Sequence, residues 1–367
     1  MKKNNTEILT IIIPTLNEVK NVDEIIKRLN KVLNQIEFRI IFVDDNSSDG
    51  TIEKVKENQL IQNNIDLIIR VGRRGLAGAC IEGLLNSSSQ LVAVMDCDLQ
   101  HDEKLLIKML NEFKDNNQLD LVIGSRHVEK GDSKKGFSYI RNLGSKYAIK
   151  LTQKLLKIEV NDPMSGFFMA KKSSIVSLLD KLQPNGFKIL ADILATSRGD
   201  LITKELGYEF KKRDLGQSKM SFSVILELLG LILSHLSFGM LSIRFVLFGF
   251  VGFSGVIIQL MSTYFFFKLI TLSFFYSHLI STLITMTSNF YLNNSLTFKD
   301  HSLAGRSFFR GLISFYIVCS IGAFANIAVA EKIFNSIEIW YIASLIGALV
   351  GALWNFVFSS LFTWKTR

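Results

Sequence analysis

The chain has 367 residues, 48% of them hydrophobic and 20% charged, with a formal net charge of +9 and a mean hydropathy of +0.28. These averages are too apolar for an ordinary soluble enzyme and exclude a disordered chain. They also conceal two unlike parts, because residues 235–367 hold only eight Lys/Arg and three Asp/Glu.

Residues 1–7 are polar and the apolar run 8–13 is too short for a signal core, so the N-terminal part is expected to stay in the cytoplasm. Short β-branched runs at 8–13, 38–43, 65–70, 91–95 and 119–123 alternate with amphipathic stretches at 20–34, 50–62, 76–87 and 103–114. Strands alternating with helices predict βαβ units and a mostly parallel sheet covered on both faces, which is a nucleotide-binding α/β domain. Beyond Gly124 the rhythm breaks into a polar loop (125–136), a basic amphipathic stretch (137–157) and a motif-bearing segment around 162–169, where an acceptor site is expected.

Residues 220–243 are apolar but interrupted by Glu227, His235 and several Ser, and read as a helix at the membrane surface. Four spans of the length a bilayer core requires then follow, at about 245–267, 272–292, 308–330 and 339–362. Lys211, Lys212, Arg213, Lys219 and Arg244 precede the first span; Lys299, Arg306 and Arg310 lie between the second and third; Lys365 and Arg367 follow the fourth. Only Lys268, Glu331, Lys332 and Glu338 lie opposite them. The positive-inside bias therefore predicts a multi-pass integral membrane protein with residues 1–219, the second loop and the C-terminus in the cytoplasm. The positive charge clusters beside membrane surface and calls for no nucleic-acid partner. Cys80, Cys97 and Cys319 form no Cys-x-x-Cys pair, which excludes a disulfide scaffold and argues against zinc.

The chemistry concentrates at strand ends. The first strand runs into Pro14-Thr15-Leu16-Asn17-Glu18 and the second into Asp44-Asp45-Asn46-Ser47-Ser48-Asp49-Gly50. In a parallel sheet both tips open on one edge, where carboxylates and amides can hold the base and ribose of a nucleotide. Asp, Asn, Ser and Gly also make turns and helix caps, and that plainer role stands beside the functional one. Gly72-Arg73-Arg74-Gly75-Leu76-Ala77-Gly78 is neither a Walker motif nor a clean dinucleotide fingerprint; phosphate contact and close helix-to-sheet packing explain it equally. Val94-Met95-Asp96-Cys97-Asp98-Leu99-Gln100-His101-Asp102 carries a buried strand into a cluster of oxygen ligands. Two carboxylates two residues apart, followed by a carboxamide, suit Mg²⁺ or Mn²⁺ gripping substrate phosphates. Asp102 reads as a cap for the next helix, and His101 as a hydrogen-bonding residue before a ligand.

Together with Gly124-Ser125-Arg126, Asp162-Pro163-x-Ser165-Gly166-Phe167 and Arg213-x-x-Gly216-x-Ser218-Lys219, these motifs resemble the polyprenyl-phosphate sugar transferases, the dolichol-phosphate mannose synthase group of glycosyltransferase family 2. Arg244-Phe245 and Asn289-Phe290-Tyr291-Leu292-Asn293 resemble the GtrA-like four-helix membrane domain. The resemblance implies an α/β nucleotide-diphospho-sugar transferase (GT-A, Rossmann-like) domain over 1–219, the juxtamembrane helix over 220–243 and a transmembrane domain over 244–367. It implies donor-nucleotide contacts from Pro14, Asn17, Glu18, Asp44, Asp45, Asp96 and Lys219, and a metal on Asp96, Asp98 and Gln100. Arg126, Arg141 and Ser145 are implied to hold the acceptor phosphate, with Asp98, Arg126 and Arg213 as the catalytic set and Ser218 in the segment that closes over the donor. Relatives have Glu where this chain has Gln217, and again where it has Asp192, which leaves the role of Asp192 open.

A polyprenyl phosphate oxygen is ionised near pH 7 and needs no strong general base. The expected reaction is a single in-line displacement that inverts the anomeric carbon of a hexose, mannose from GDP-mannose first, with UDP-glucose or another UDP-sugar as the alternative donor. The acceptor is a dolichyl or undecaprenyl phosphate at the cytoplasmic face. A processive polysaccharide synthase is disfavoured, because no Gln-x-x-Arg-Trp motif occurs; a lipid-linked sugar translocase or scaffold is the rival from another class. Abundant Asn, Lys and Ile point to an AT-rich bacterial genome and a bacterial inner membrane. Membrane helices alone set no stoichiometry, so a homo-oligomer stays open.

Overall fold

In the computed structural model the described residues are 8–128, 149–150, 152–156, 158–184, 188–210, 222–237, 243–299, 302–348, 350 and 354. They divide into two compact units, Met1–Ile243 and Arg244–Arg367.

The first unit is built on a seven-stranded sheet. Its strands are β1 (Leu9–Thr15), β2 (Phe38–Asp44), β3 (Ile65–Ile69), β4 (Leu91–Val94), β5 (Leu121–Ser125), β6 (Phe168–Lys171) and β7 (Thr203–Gly207), in the order β3-β2-β1-β4-β6-β5-β7. Strands β1 to β4 pair in parallel, β6 runs antiparallel between β4 and β5, and β7 lies parallel to β5. The first five strands fall where the β-branched runs predicted. Strands β6 and β7 were not legible, because four or five residues without alternation resemble loop.

Strand side chains alternate between two cores. Ile11, Ile13 and Phe42 pack with Val22, Ile25 and Leu29 of α1 (Val19–Val32), Val55 of α2 (Thr51–Ile61) and Leu106 and Met109 of α4 (Leu105–Asp115). Ile12, Ile41 and Val94 face the other way, against Ala77, Cys80 and Leu84 of α3 (Leu76–Asn86), Ile175 of α5 (Lys172–Val176) and Ile189 and Ile193 of α6 (Ile189–Ser197). Each fully buried Ile or Leu contributes about 1.5–3 kcal/mol. Gly83 makes the closeness of α3 to the sheet possible, since a Cβ there would lie 2.4 Å from Ile12 Cγ2. Helix α7 (Phe222–Leu236) completes this unit, burying Leu228, Leu231 and Ile232. His235 at its end reaches the buried Asp192 of α6, Nε2 to Oδ1 2.8 Å, while Asp192 Oδ2 accepts the Gln183 N–H at 2.6 Å. The shorter acid thus ties three segments together.

The second unit is helical. It contains α8 (Ile243–Tyr264), continued by a π-helical turn to Leu269; α9 (Phe274–Leu292), continued likewise to Thr297; α10 (Arg306–Ile337); and helical residues 340–348. Among the described residues, 243–269 and 306–336 are long and apolar enough to cross a membrane. Phe309, Ile313, Ile317, Ile321 and Phe324 line one face of α10 and are each more than half exposed. A stripe this apolar is a liability in water and a match for lipid. Inside, Phe290 packs with Met286, Phe298, Phe315 and Cys319.

Candidate functional site

The ends of β1 and β2 are stapled to each other. Asp44, fully buried, accepts the Thr15 hydroxyl at 2.8 Å and the Ser47 hydroxyl and N–H at 2.7 Å. Asn17 donates its N–H to Ser47 Oγ and accepts the Ser48 N–H on its side-chain oxygen. Asp49 accepts the Val19 and Thr51 N–H groups, so it caps the entrances of α1 and α2. Asn17 and Asn46 both have left-handed φ, near +60°, which Asn tolerates because its short side chain bonds locally. Asp44 and Asp49 therefore do carry the turn-and-cap role, whatever else they contact.

Asp45 points elsewhere. Its carboxylate accepts from Arg70 Nη1 and from the Gly75 N–H, the latter at 2.7 Å, while Arg70 also reaches the Gly75 carbonyl and Glu82 Oε1 at 2.9 Å. Burial pushes the Asp45 carboxyl above its ordinary range, against the pull of the Gly75 N–H and Arg70. Gly78 has to be glycine beside this network, because a Cβ would fall 2.4 Å from Arg70 Nη2. Arg73 pairs with Glu82 at 3.3 Å. Of the glycines after β3, Gly78 is thus explained by packing beside a buried guanidinium, whereas Gly72 and Gly75 adopt positive φ, 72° and 138°.

The β4 tip supplies the acidic pair. Asp98 is 9% exposed and accepts the Gln100 N–H at 3.1 Å; the Asp96 side chain is 38% exposed. Between Asp98 and Gln100, Leu99 adopts φ +62°, a conformation that costs a branched residue on the order of 1–3 kcal/mol and that its burial in the core offsets. Gly166 leaves space for Asp96, since a Cβ would stand 3.1 Å from Oδ2. Cys97 is packed in the core, and burial raises its thiol pKa, reinforced by the negative charges of Glu18, Asp98, Asp96 and Asp44. Acidic residues from three separate tips therefore act electrostatically on one thiol.

The tip of β5 brings in the basic partner. Arg126 holds Asp162 through two side-chain bonds, Nε to Oδ2 and Nη2 to Oδ1, each 2.8 Å, and through its own N–H at 3.0 Å. The pair is a buried bidentate bridge; the guanidinium holds the Asp162 carboxyl below its ordinary range despite burial. Arg126 also lies 5.5 Å over the Phe210 ring. Glu205 on β7 fixes the loop that carries Asp162, accepting the N–H groups of Asn161 and Asp162 at 2.9 and 3.0 Å. Between the acidic and basic tips lies an aromatic cluster: His101 stacks on Phe167 at 5.0 Å, with Tyr208 and Phe210 at 6.0 and 5.9 Å. Burial drives His101 down to about 4, so it is neutral at pH 7, and its Nδ1 accepts the Asp96 N–H at 3.1 Å.

The structure thus brings Pro14, Asn17, Glu18, Asp44, Asp45, Asp96, Asp98, Gln100 and Arg126 to one sheet edge. Arg141, Ser145, Arg213, Ser218 and Lys219 lie outside the described residues. Arg70, Glu82, Tyr208 and Phe210 were not singled out from sequence; only Tyr208-Glu209-Phe210, with aromatics two apart and so on one side of an extended segment, offered a signal. Oxygen donors at Asp96, Asp98 and Gln100 fit a hard divalent ion. Among the described residues no three His, Cys, Asp or Glu side chains gather into a cage for a metal ion.

Residues 10–179 match the glycosyl transferase family 2 domain and residues 247–364 the GtrA/DPMS transmembrane domain. The chain is 32% identical to a dolichol-phosphate mannosyltransferase of Pyrococcus furiosus over 361 residues, 98% of this chain and 99% of the relative. It is 31% identical to the enzyme of that name from Mycosarcoma maydis over 252 residues, 66% of this chain and 84% of the relative. A crystal structure of glucosyl-3-phosphoglycerate synthase from Mycobacterium tuberculosis with uridine diphosphate superposes with a TM-score of 0.47 at 16% identity, covering 62% of this chain and 80% of that one. With both domains matched in order and one relative aligned from end to end, the chain belongs to the dolichol-phosphate mannosyltransferase-like glycosyltransferases of family 2 that carry a GtrA-type membrane domain.

Proposed function

We propose that the protein transfers a hexose, mannose from GDP-mannose, to a polyprenyl phosphate at the cytoplasmic face of a bacterial inner membrane, releasing a nucleoside diphosphate. The observation that carries the reading is the meeting of the Asp96/Asp98 pair and the Arg126–Asp162 bridge around the neutral His101. In this reading Asp96, Asp98 and Gln100 hold Mg²⁺ or Mn²⁺, which supplies charge neutralisation for the departing diphosphate. The Asp45–Arg70 network shapes the donor base and ribose contacts with Pro14, Asn17 and Glu18. Arg126 faces the acceptor phosphate, but Asp162 cancels much of its charge, so Arg141, Arg213 and Lys219 are assigned the remaining compensation. The phosphate oxygen attacks the anomeric carbon in line, the sugar–diphosphate bond breaks, and no proton need be removed from the nucleophile.

The four spans at about 245–267, 272–292, 308–330 and 339–362 keep the isoprenoid tail in lipid beside a cytoplasmic catalytic domain. The test is transfer of radiolabelled sugar from GDP-mannose, and separately UDP-glucose, to polyprenyl phosphate with Mn²⁺ or Mg²⁺. Metal-dependent product from the native chain is expected, reduced by roughly 10²–10³-fold or more in Asp98→Ala, the scale on which loss of one electrostatic stabiliser acts. An Asp98→Ala variant as active as the native chain would remove Asp98 from the site, and a native chain inert toward a full panel of nucleotide sugars would overturn the reaction itself.

A further inference from the structure

Asp192 of α6, where relatives carry Glu, is buried in the first unit and serves two segments remote in sequence. Its Oδ2 accepts the Gln183 N–H at 2.6 Å, which holds the turn at Gln183–Pro184 to α6. Its Oδ1 meets His235 Nε2 of α7 at 2.8 Å; a carboxylate oxygen accepts, so the ring presents its Nε2–H there. Thr196 Oγ1 stands 3.5 Å from the same oxygen, at the limit of a hydrogen bond. His235 is therefore the stronger of the two partners of that oxygen.

The turn held in this way reaches the donor side of the sheet. The Pro184 carbonyl abuts the entrance of α3: a Cβ would lie 3.6 Å from that oxygen at Gly75 and 3.0 Å from it at Gly78. The same two glycines meet the Asp45–Arg70 network. Gly75 gives its N–H to Asp45 and its carbonyl to Arg70, and Gly78 leaves room for the guanidinium. Glycine restrains its own backbone least of all residues, so the α3 entrance takes its position from what presses on it: Asp45, Arg70 and the Pro184 carbonyl.

We infer that Asp192 and His235 are positioning residues of the donor site, which through Gln183 and Pro184 make the geometry of the Gly75–Gly78 turn depend on where α7 sits. Coupling of this kind needs a continuous run of packed and hydrogen-bonded groups, and each link from His235 to Asp45 is a direct contact. Helix α7 is the last helix of the first unit and leads into the membrane domain, so its seating is communicated to nucleotide binding. Helix α6 itself is fixed by its buried Ile189, Leu190 and Ile193. Loss of the His235 bond thus frees the Asp192 carboxylate and the turn it holds, and leaves the helix in place. The inference rests on the reading that the Asp45–Arg70 network shapes the donor contacts.

The test is amide hydrogen exchange of the full chain in lipid nanodiscs, read beside calorimetric binding of GDP and of UDP with Mg²⁺. His235→Leu should speed exchange of residues 75–80 at least fivefold and weaken nucleotide binding at least fivefold, with exchange in α2 unchanged. Asp192→Ala should reproduce both effects. His235→Gln returns an N–H donor at the same reach and should bring both readouts to within twofold of the native chain. Native exchange at residues 75–80 or native nucleotide affinity in His235→Leu would overturn the inference. Equal loosening of α2, as for a pair that only holds the fold together, or failure of the Gln variant to rescue, would do the same. A native chain that binds neither nucleotide, while exchange responds as expected, would instead overturn the donor reading and leave the relay from α7 to α3 standing.

Discussion

The two units handle buried polarity in opposite ways. At the sheet edge of residues 8–210 buried cations are held by carboxylates, Arg126 by Asp162 and Arg70 by both Asp45 and Glu82. In the helical unit the most extended buried network among the described residues is neutral, a chain of amide, imidazole and hydroxyl through Gln259, His278, Thr282 and Asn326. The difference follows from the surroundings. Strand tips place partners rigidly and leave water close by, so a desolvated ion pair can be completed by further hydrogen bonds. A helix facing hydrocarbon has no such reserve, and an isolated charge there is far more expensive than an amide.

That contrast predicts unequal sensitivity to mutation. The largest stability loss should come from Asp162→Ala, which strands a buried guanidinium and is expected to cost about 3–5 kcal/mol, read by calorimetry of the full chain. The bridge also has a pH signature. Because the folded pKa of Asp162 is held below its ordinary 3.8, the stabilisation is complete above that value and is lost as pH falls through the lowered one; Asp162→Asn should lack this acid limb. Next comes Arg70→Met, at about 3 kcal/mol. It leaves Asp45 without its cation, so the already raised carboxyl rises further, and the loss should grow as pH increases from 4 toward 7. The same variant should weaken donor binding, seen as a higher KM, if the Gly75 segment is positioned through Arg70.

The neutral cluster should be the least sensitive. Asn326→Ala is expected to cost only about 0.6 kcal/mol and at most about 1.7, the average and maximum for hydrogen bonds between membrane helices, followed by thermal unfolding in nanodiscs. A loss as large as that of Asp162→Ala would erase the contrast and make the cluster a structural keystone.

Much of the α/β unit was legible because β-branched runs and 3.6-residue periodicity are local signals, and the strand ends they predict carry Asp44, Asp96, Asp98 and Arg126. Strands β6 and β7 escaped, being short and paired with residues far along the chain, Phe168 with Val94 and Ile123, Thr203 with Leu121. The partnership of Arg70 with Asp45 escaped for the same reason, since nothing in the run 65–70 distinguishes a strand-end arginine that turns inward. Asp192 was left without a role until its contacts with His235 and Gln183 supplied one.

By itself the sequence determined the two-part division of the chain, the strand-tip acidic motifs and their family, because hydropathy and short-range spacing are properties of neighbouring residues. Only the tertiary structure decided that Asp44 staples two tips, that Asp162 neutralises Arg126, that His101 is neutral among aromatics and that Gln259, His278, Thr282 and Asn326 form one polar network in the helical unit. Each of those depends on which groups meet after folding and on how much water they lose when they do.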